Sequence, residues 1–220
     1  MRVRSAADQE SIAMFEKSLR VVQCWDDGRE QDLQLCDILR RQGATATFNL
    51  NASVLDQPNR AWSRNRAVYD DFTVANHSLT HPHLESIPIT AARAEIVDGR
   101  KRLQDIFGRP VLGFAYPYGT YTPAVMDALR EAGHVYARTT VPVEQCFPPQ
   151  EPMAFHPNCH FLAPDFWERY ERSRACGVFY FWGHSYEIKT DEMWQAFEAA
   201  MARISRDPQA AWTELVDLFR

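Results

Sequence analysis

Val21-Val22-Gln23-Cys24-Trp25 is a short apolar run, and Asp26-Asp27-Gly28 follows it at once. Such a run, stopped by a polar turn, predicts a buried strand. Beyond it, Leu33, Leu35, Cys36, Ile38 and Leu39 share one helical face, which closes at Gly43 as a C′ residue. Ala46-Thr47-Phe48-Asn49-Leu50 is apolar again. Strand, helix, strand in this order predicts parallel strands joined by a crossover helix.

The alternation continues downstream. Residues 71–76 predict a third strand. Thr90 predicts the N-cap of a helix with Ile96, Leu103, Ile106 and Phe107 on one side, ended by Gly108-Arg109-Pro110. Residues 111–116 predict a strand, and Thr122-Pro123 opens a helix that stops at Gly133. A strand over 134–140 leads into an irregular, proline-rich stretch over 142–164, a length typical of functional loops. Val178-Phe179-Tyr180-Phe181-Trp182 predicts the last strand, with helices over 190–204 and 208–219 after it. An open doubly wound sheet and an α/β barrel both fit this order. No repeat or linker divides the 220 residues, so a single domain over 1–220 is expected, its motif-bearing core spanning about 20–190.

Composition narrows the function classes. With 45% hydrophobic residues, 24% charged and a net charge of −5, the chain is globular and lacks the basic excess that nucleic acid would demand. No apolar run reaches the roughly 18 residues of a membrane span. The opening Met1-Arg2-Val3-Arg4-Ser5 leads into no apolar signal segment, which predicts a cytoplasmic protein unless an export signal has been trimmed. The cysteines at 24, 36, 146, 159 and 176 are odd in number and irregularly spaced, which predicts reduced, unlinked thiols.

Four polar clusters stand just after apolar strands: Asp26-Asp27-Gly28, Asn76-His77, Tyr116-Pro117-Tyr118-Gly119 and Gly183-His184. Parallel α/β sheets gather such strand ends on one face, where the site lies. Adjacent carboxylates there are costly unless a cation or a shared proton relieves them. A solvated turn with Gly28 at positive φ reads the same way. His77 and His81, at i and i+4, can face one ion across a short turn that Pro82 keeps from becoming a helix. With one carboxylate they form a two-His, one-Asp set that leaves positions for water and substrate. The turn at Tyr116–Gly119 either offers backbone N–H groups to an oxyanion or is an aromatic loop. Tyr116, Tyr118, Tyr121, Phe155 and Trp182 predict an aromatic wall suited to a sugar ring or any apolar ligand. His156 and His160 predict pocket lining, and Cys159 beside His160 admits a thiol nucleophile.

Taken together and in this order, Asp26-Asp27-Gly28, Asn76-His77-Ser78-Leu79-Thr80-His81, the Tyr116-Pro117-Tyr118 turn and the late His184 resemble the motifs of polysaccharide deacetylases, the NodB-homology group of carbohydrate esterase family four. The stretch ending Gly43-Ala44-Thr45-Ala46-Thr47-Phe48 is similar too, and the resemblance runs from about Val21 to His184. It implies a distorted parallel β/α barrel and a metal-dependent hydrolase that removes an acetyl group from an N-acetylated sugar or related amide. It implies one divalent cation on Asp27, His77 and His81, zinc foremost, with cobalt, manganese, iron and nickel also suited. It further implies Asp26 as general base, the Tyr118 backbone N–H as oxyanion donor and His184 as general acid. The expected partner is a small-molecule or oligosaccharide substrate, faced by Tyr116, Tyr118, Tyr121, His156, His160 and Trp182.

Two departures carry further expectations. The family's arginine that pairs with the base aspartate is here Ala115, and Arg138 on the following strand is the expected substitute. The family's aspartate-and-tryptophan motif has no clear counterpart. Ala115 favours an alternative, a non-catalytic carbohydrate- or metal-binding relative. A thiol hydrolase using Cys159 is the third expectation.

Overall fold

Residues 19–144 and 147–219 are described by a computed structural model. Among the described residues one curled eight-stranded sheet forms, seven of its strands along a single path: β1 (Leu19–Asp26), β2 (Thr47–Leu50), β3 (Thr73–Asn76), β4 (Gly113–Ala115), β5 (Tyr136–Arg138), β6 (Cys159–His160) and β7 (Val178–Gly183). Their order is β5-β4-β3-β2-β1-β7-β6, and every ladder is parallel. The path from β5 to β6 stays open, so the sheet curls into an incomplete, distorted β/α barrel, as the family resemblance implies. β1 is central because its run is apolar on both faces, as a parallel strand covered on both sides must be. Trp25, wholly buried, packs against Phe161, Phe181 and Phe197 at centroid distances of 5.0, 6.5 and 5.3 Å.

The crossovers are α1 (Asp32–Gln42), α2 (Ala61–Arg64), α3 (Ile89–Phe107), α4 (Pro123–Glu131), α5 (Phe166–Arg172) and α6 (Asp191–Ser205). Gly43 and Gly108 end α1 and α3 in the left-handed region, at φ 62° and 64°. Thr122 caps α4 by accepting from the Val125 N–H. α3 starts one residue before Thr90, with Pro88 as its N-cap. Gly99, in the middle of α3, is costly for a helix but is required here. A Cβ would lie 2.8 Å from Asn76 Oδ1 and 2.9 Å from the Ser78 carbonyl carbon. The helix thus supports the loop that carries His77 and His81.

Three expectations need correction. Residues 208–219 are not a helix: β8 (Ala210–Trp212) is followed by a 3₁₀ turn over Leu215–Phe219. β1 extends beyond β2, and its buried backbone groups at Leu19–Val21 must find partners, which β8 supplies in a parallel ladder. The 142–164 stretch is not wholly irregular, since it contains β6 and a 3₁₀ turn at Pro152–Ala154. Cys176 is disulfide-bonded, so the expectation of five unlinked thiols fails. Sequence spacing does not show which cysteines meet in space. Cys24, Cys36 and Cys159 are free and buried; Cys146 and the opening residues read for a signal segment lie outside the described residues. Among the described residues no helix is long and apolar enough to cross a membrane.

Candidate active site

The C-terminal ends of β1, β3, β4 and β7 converge on one cleft of about 490 Å³. Asp27 leaves β1 at φ 76°, and the loop after β3 carries Ser78 and His81 at φ 65° and 68°. These residues and Tyr118, at φ 60°, are the four non-glycine positions in the left-handed region among the described residues. Each such position costs about 1–3 kcal/mol, and strain of this kind gathers at functional sites. Here it aims three ligand atoms at one point. His77 Nε2 and His81 Nε2 are 3.1 Å apart, and Asp27 Oδ1 lies 3.9 and 3.8 Å from them.

This donor set fits a divalent cation. Ligand atoms around a tetrahedral ion at about 2.0–2.1 Å stand roughly 3.3 Å apart. His77 Nδ1 donates to the Ala115 carbonyl at 2.7 Å, which leaves the Nε2 lone pair facing the common point. Burial pushes the His77 imidazole down to about 4 and lowers that of His81, so both are neutral, as ligands must be.

Asp26, the last residue of β1, lines the same cleft and has partners of its own. Asn49 Nδ2 donates to its Oδ1 at 2.7 Å, and Arg138 Nη2 pairs with its Oδ2. Both partners of this ion pair are buried. Burial opposes ionisation of Asp26, but the Arg138 guanidinium outweighs it, with His77 and His184 assisting, and holds the carboxyl well below the usual range. Ala115 and Arg138 are register partners on β4 and β5, so they point to the same face. Arg138 thus reaches Asp26 from one strand over from Ala115.

His184 Nε2 lies 4.0 Å from Asp26 Oδ2, while Nδ1 faces Glu187 Oε2 at 3.2 Å. Burial disfavours the imidazolium, yet Glu187, Asp26 and Asp27 outweigh it and raise the His184 pKa. A protonated His184 therefore hydrogen-bonds Glu187 through Nδ1 and keeps a second proton on Nε2, facing the cleft.

The cleft brings together Asp26, Asp27, His77, His81, Tyr116, Tyr118, Trp182 and His184. Tyr121, His156 and His160 do not line it. Tyr121 stacks behind Tyr116 at 4.9 Å, His156 meets Thr139 Oγ1 at 2.6 Å, and His160 bonds Glu187. Tyr118 is exposed and stacks on His83 at 3.7 Å. Cys159 is buried, and burial pushes its thiol up to about 12, which corrects the nucleophile reading: a thiol so enclosed stays protonated. Sequence reasoning missed Asn49, Thr140, Tyr186 and Glu187. Only Glu187 carried a signal, its His-x-x-Glu spacing from a strand-end histidine.

A family model for polysaccharide deacetylases matches residues 16–137, more than half of the chain. The chain belongs to the polysaccharide deacetylase family. This deacetylase-family chain is 26% identical over 113 residues to a chitooligosaccharide deacetylase from Azorhizobium caulinodans, covering 50% of itself and 52% of that protein. It is 28% identical over 109 residues to an uncharacterized protein of Streptomyces coelicolor, covering 43% of it. The chain thus spans about half the length of the curated relatives it matches. Among solved structures, a family 4 carbohydrate esterase from Streptomyces lividans in complex with acetate shares the fold, with TM-score 0.61, 19% identity and coverage of 87% and 90%. A carbohydrate esterase family 4 pseudoenzyme from Bacillus anthracis also shares it, with TM-score 0.65, 15% identity and coverage of 91% and 65%.

Proposed function

We propose that this chain is a metal-dependent deacetylase acting on an N-acetylated sugar. The observation that carries the reading is the convergence of Asp27, His77 and His81 on one point, with Asp26 and His184 facing each other 4.0 Å apart beside it. A divalent cation held by that triad would supply Lewis acidity toward the acyl oxygen and acidify an attacking water. Asp26 is kept ionised by Arg138 throughout the neutral range and accepts the water proton. Its weak basicity suits it only to a proton that has already been made acidic. The Tyr118 backbone N–H, on its strained turn, is the donor for the developing oxyanion. His184 delivers its Nε2 proton to the departing amine, and Glu187 steadies the charge that His184 carries before transfer. Tyr118, Trp182 and Tyr186 offer the sugar ring its aromatic faces.

The test is elemental analysis combined with acetate release from N-acetylated sugar oligomers. One equivalent of metal per chain, loss of activity with chelator and recovery on adding zinc, cobalt or manganese are expected. Acetate release that persists without metal would refute the reading. Pseudoenzyme relatives exist, and Ala115 is the feature that favours that alternative; the pairing of Arg138 with Asp26 supports the catalytic reading. The disulfide at Cys176 weighs against a cytoplasmic location, because such bonds are rare there. Counting free thiols in protein taken from its native host checks this, and fully reduced protein would return it to the cytosol.

A further inference from the structure

One carboxylate oxygen beside the cleft collects three nitrogen contacts. Glu187 Oε2 accepts from the His184 backbone N–H at 3.0 Å, and faces His184 Nδ1 at 3.2 Å and His160 Nε2 at 2.9 Å. His160 reaches it from β6, where register sets it beside Trp182 of β7, and the two rings meet edge to face at 4.8 Å. The Leu162 N–H donates to His160 Nδ1 at 3.3 Å. That bond occupies the Nδ1 lone pair, so the neutral ring carries its proton on Nε2 and presents it to Glu187.

The three side chains offer ligand atoms within 4.8 Å of one another, a spacing that would also suit a cation. The tautomer opposes that use. A cation would need the His160 Nε2 lone pair, and the displaced proton on Nδ1 would then confront the Leu162 N–H.

We infer that His160 is a positioning residue for the acid His184, acting through Glu187. Its N–H pins Glu187 Oε2, and its ring keeps water from that oxygen, so His184 stays bonded through Nδ1 with Nε2 turned toward Asp26. The inference rests on the reading of His184 as the acid. The physical lever is enclosure. Glu187 is 29% exposed in its side chain, and a carboxylate opened to water attracts a neighbouring imidazolium far less than one held in place. Asp26 and Asp27 from β1 and its turn, His81 from the loop after β3 and the Tyr186 ring also face His184. A change at His160 leaves all of them in place.

Two variants test this. His160→Leu keeps bulk and removes the donor; His160→Gln keeps an N–H donor. The His184 ring is titrated by NMR in the metal-free protein, and kcat and KM are measured with metal. For His160→Leu, the His184 midpoint should fall toward the ordinary histidine value. Its kcat should drop about tenfold, a part of the roughly 10²–10⁴-fold that a general acid supplies, with KM little changed. His160→Gln should recover both. An unmoved His184 midpoint in His160→Leu overturns the inference, as does a His160→Gln variant equally impaired. A second equivalent of zinc, bound by wild type and lost in His160→Leu, would make the cluster a cation site and also overturn it. If the midpoints move as expected and no protein releases acetate, the positioning role stands and the deacetylase reading fails.

Discussion

Arg138→Met removes the cation that faces Asp26 while retaining an apolar stem beneath Trp182, whose ring lies 4.7 Å from the guanidinium. The two side chains of the pair are 1% and 3% exposed. Removing one partner of a buried ion pair costs about 3–5 kcal/mol, because the other charge is stranded. For a domain of this length 1 kcal/mol moves Tm by about 2–4 °C, so the variant should melt about 6–20 °C lower at neutral pH.

The pH dependence sharpens the test. In wild type the Asp26 carboxyl titrates below its unfolded value, so its contribution is present above about pH 4 and is lost only as pH falls through the folded value. In Arg138→Met the desolvation penalty remains while its main counterweight is gone, and the folded carboxyl titrates above its unfolded value. Its contribution is then present at low pH and is lost as pH rises. The gap between the two melting temperatures should be widest near pH 7 and narrow toward pH 4, measured by thermal denaturation in chelator. With metal, kcat at pH 7 should fall by roughly 10²–10⁴, because a protonated Asp26 cannot accept a proton, while metal content stays at the wild-type value. Arg138→Ala combined with Ala115→Arg should recover part of the rate, since the two positions are neighbours across β4 and β5. A melting gap that does not vary with pH, or a kcat within about threefold of wild type, would refute the coupling.

Other outcomes follow from the same geometry. His81→Ala should weaken cobalt binding, followed by its visible absorption, by more than the roughly 10–100-fold that loss of a ligand's hydrogen-bond partner costs; unchanged binding would place the cation elsewhere. Tyr118→Gly keeps the backbone N–H at a φ that glycine adopts freely, so kcat should hold while KM rises with the loss of the aromatic face; a collapse of kcat would give the phenol ring a role in the chemistry. Cys159→Ala should retain activity and chelator sensitivity, checked by acetate release; an inactive but folded variant would restore the thiol reading.

The parallel order was legible because β1, α1 and β2 leave little choice: an apolar strand, an amphipathic helix closed by Gly43 and a second apolar strand permit one crossover. A set of His77, His81 and one of the two adjacent aspartates was legible from residue chemistry at strand ends; the family resemblance singled out Asp27. Arg138 was legible through Ala115, since a cation lost from one strand is best replaced from the next on the same face. Glu187 carried only its His-x-x-Glu spacing, and an acidic residue three positions past a histidine looks like any surface carboxylate until the 3₁₀ turn over Ser185–Glu187 folds it back. His156 and His160 look equivalent in sequence, yet one meets Thr139 and the other Glu187, because only His160 lies in a strand paired with β7. The final strand and the Cys176 disulfide depend on contacts between distant segments, which local pattern does not encode.

Backbone strain marks the site independently of any side-chain chemistry. A loop selected only for folding would put glycine or asparagine at left-handed positions, as this chain does at Gly28, Gly43, Gly108 and Gly133. At Asp27, Ser78, His81 and Tyr118 it does not, although each choice costs stability. Asp27 and His81 place donor atoms on the common point, Tyr118 lines the cleft, and Ser78 Oγ accepts from the His81 N–H at 2.9 Å to hold the loop. Each residue either contributes to the site directly or supports one that does. The strain is therefore concentrated where a cation and an oxyanion donor require it, which ties the unusual backbone to the proposed chemistry.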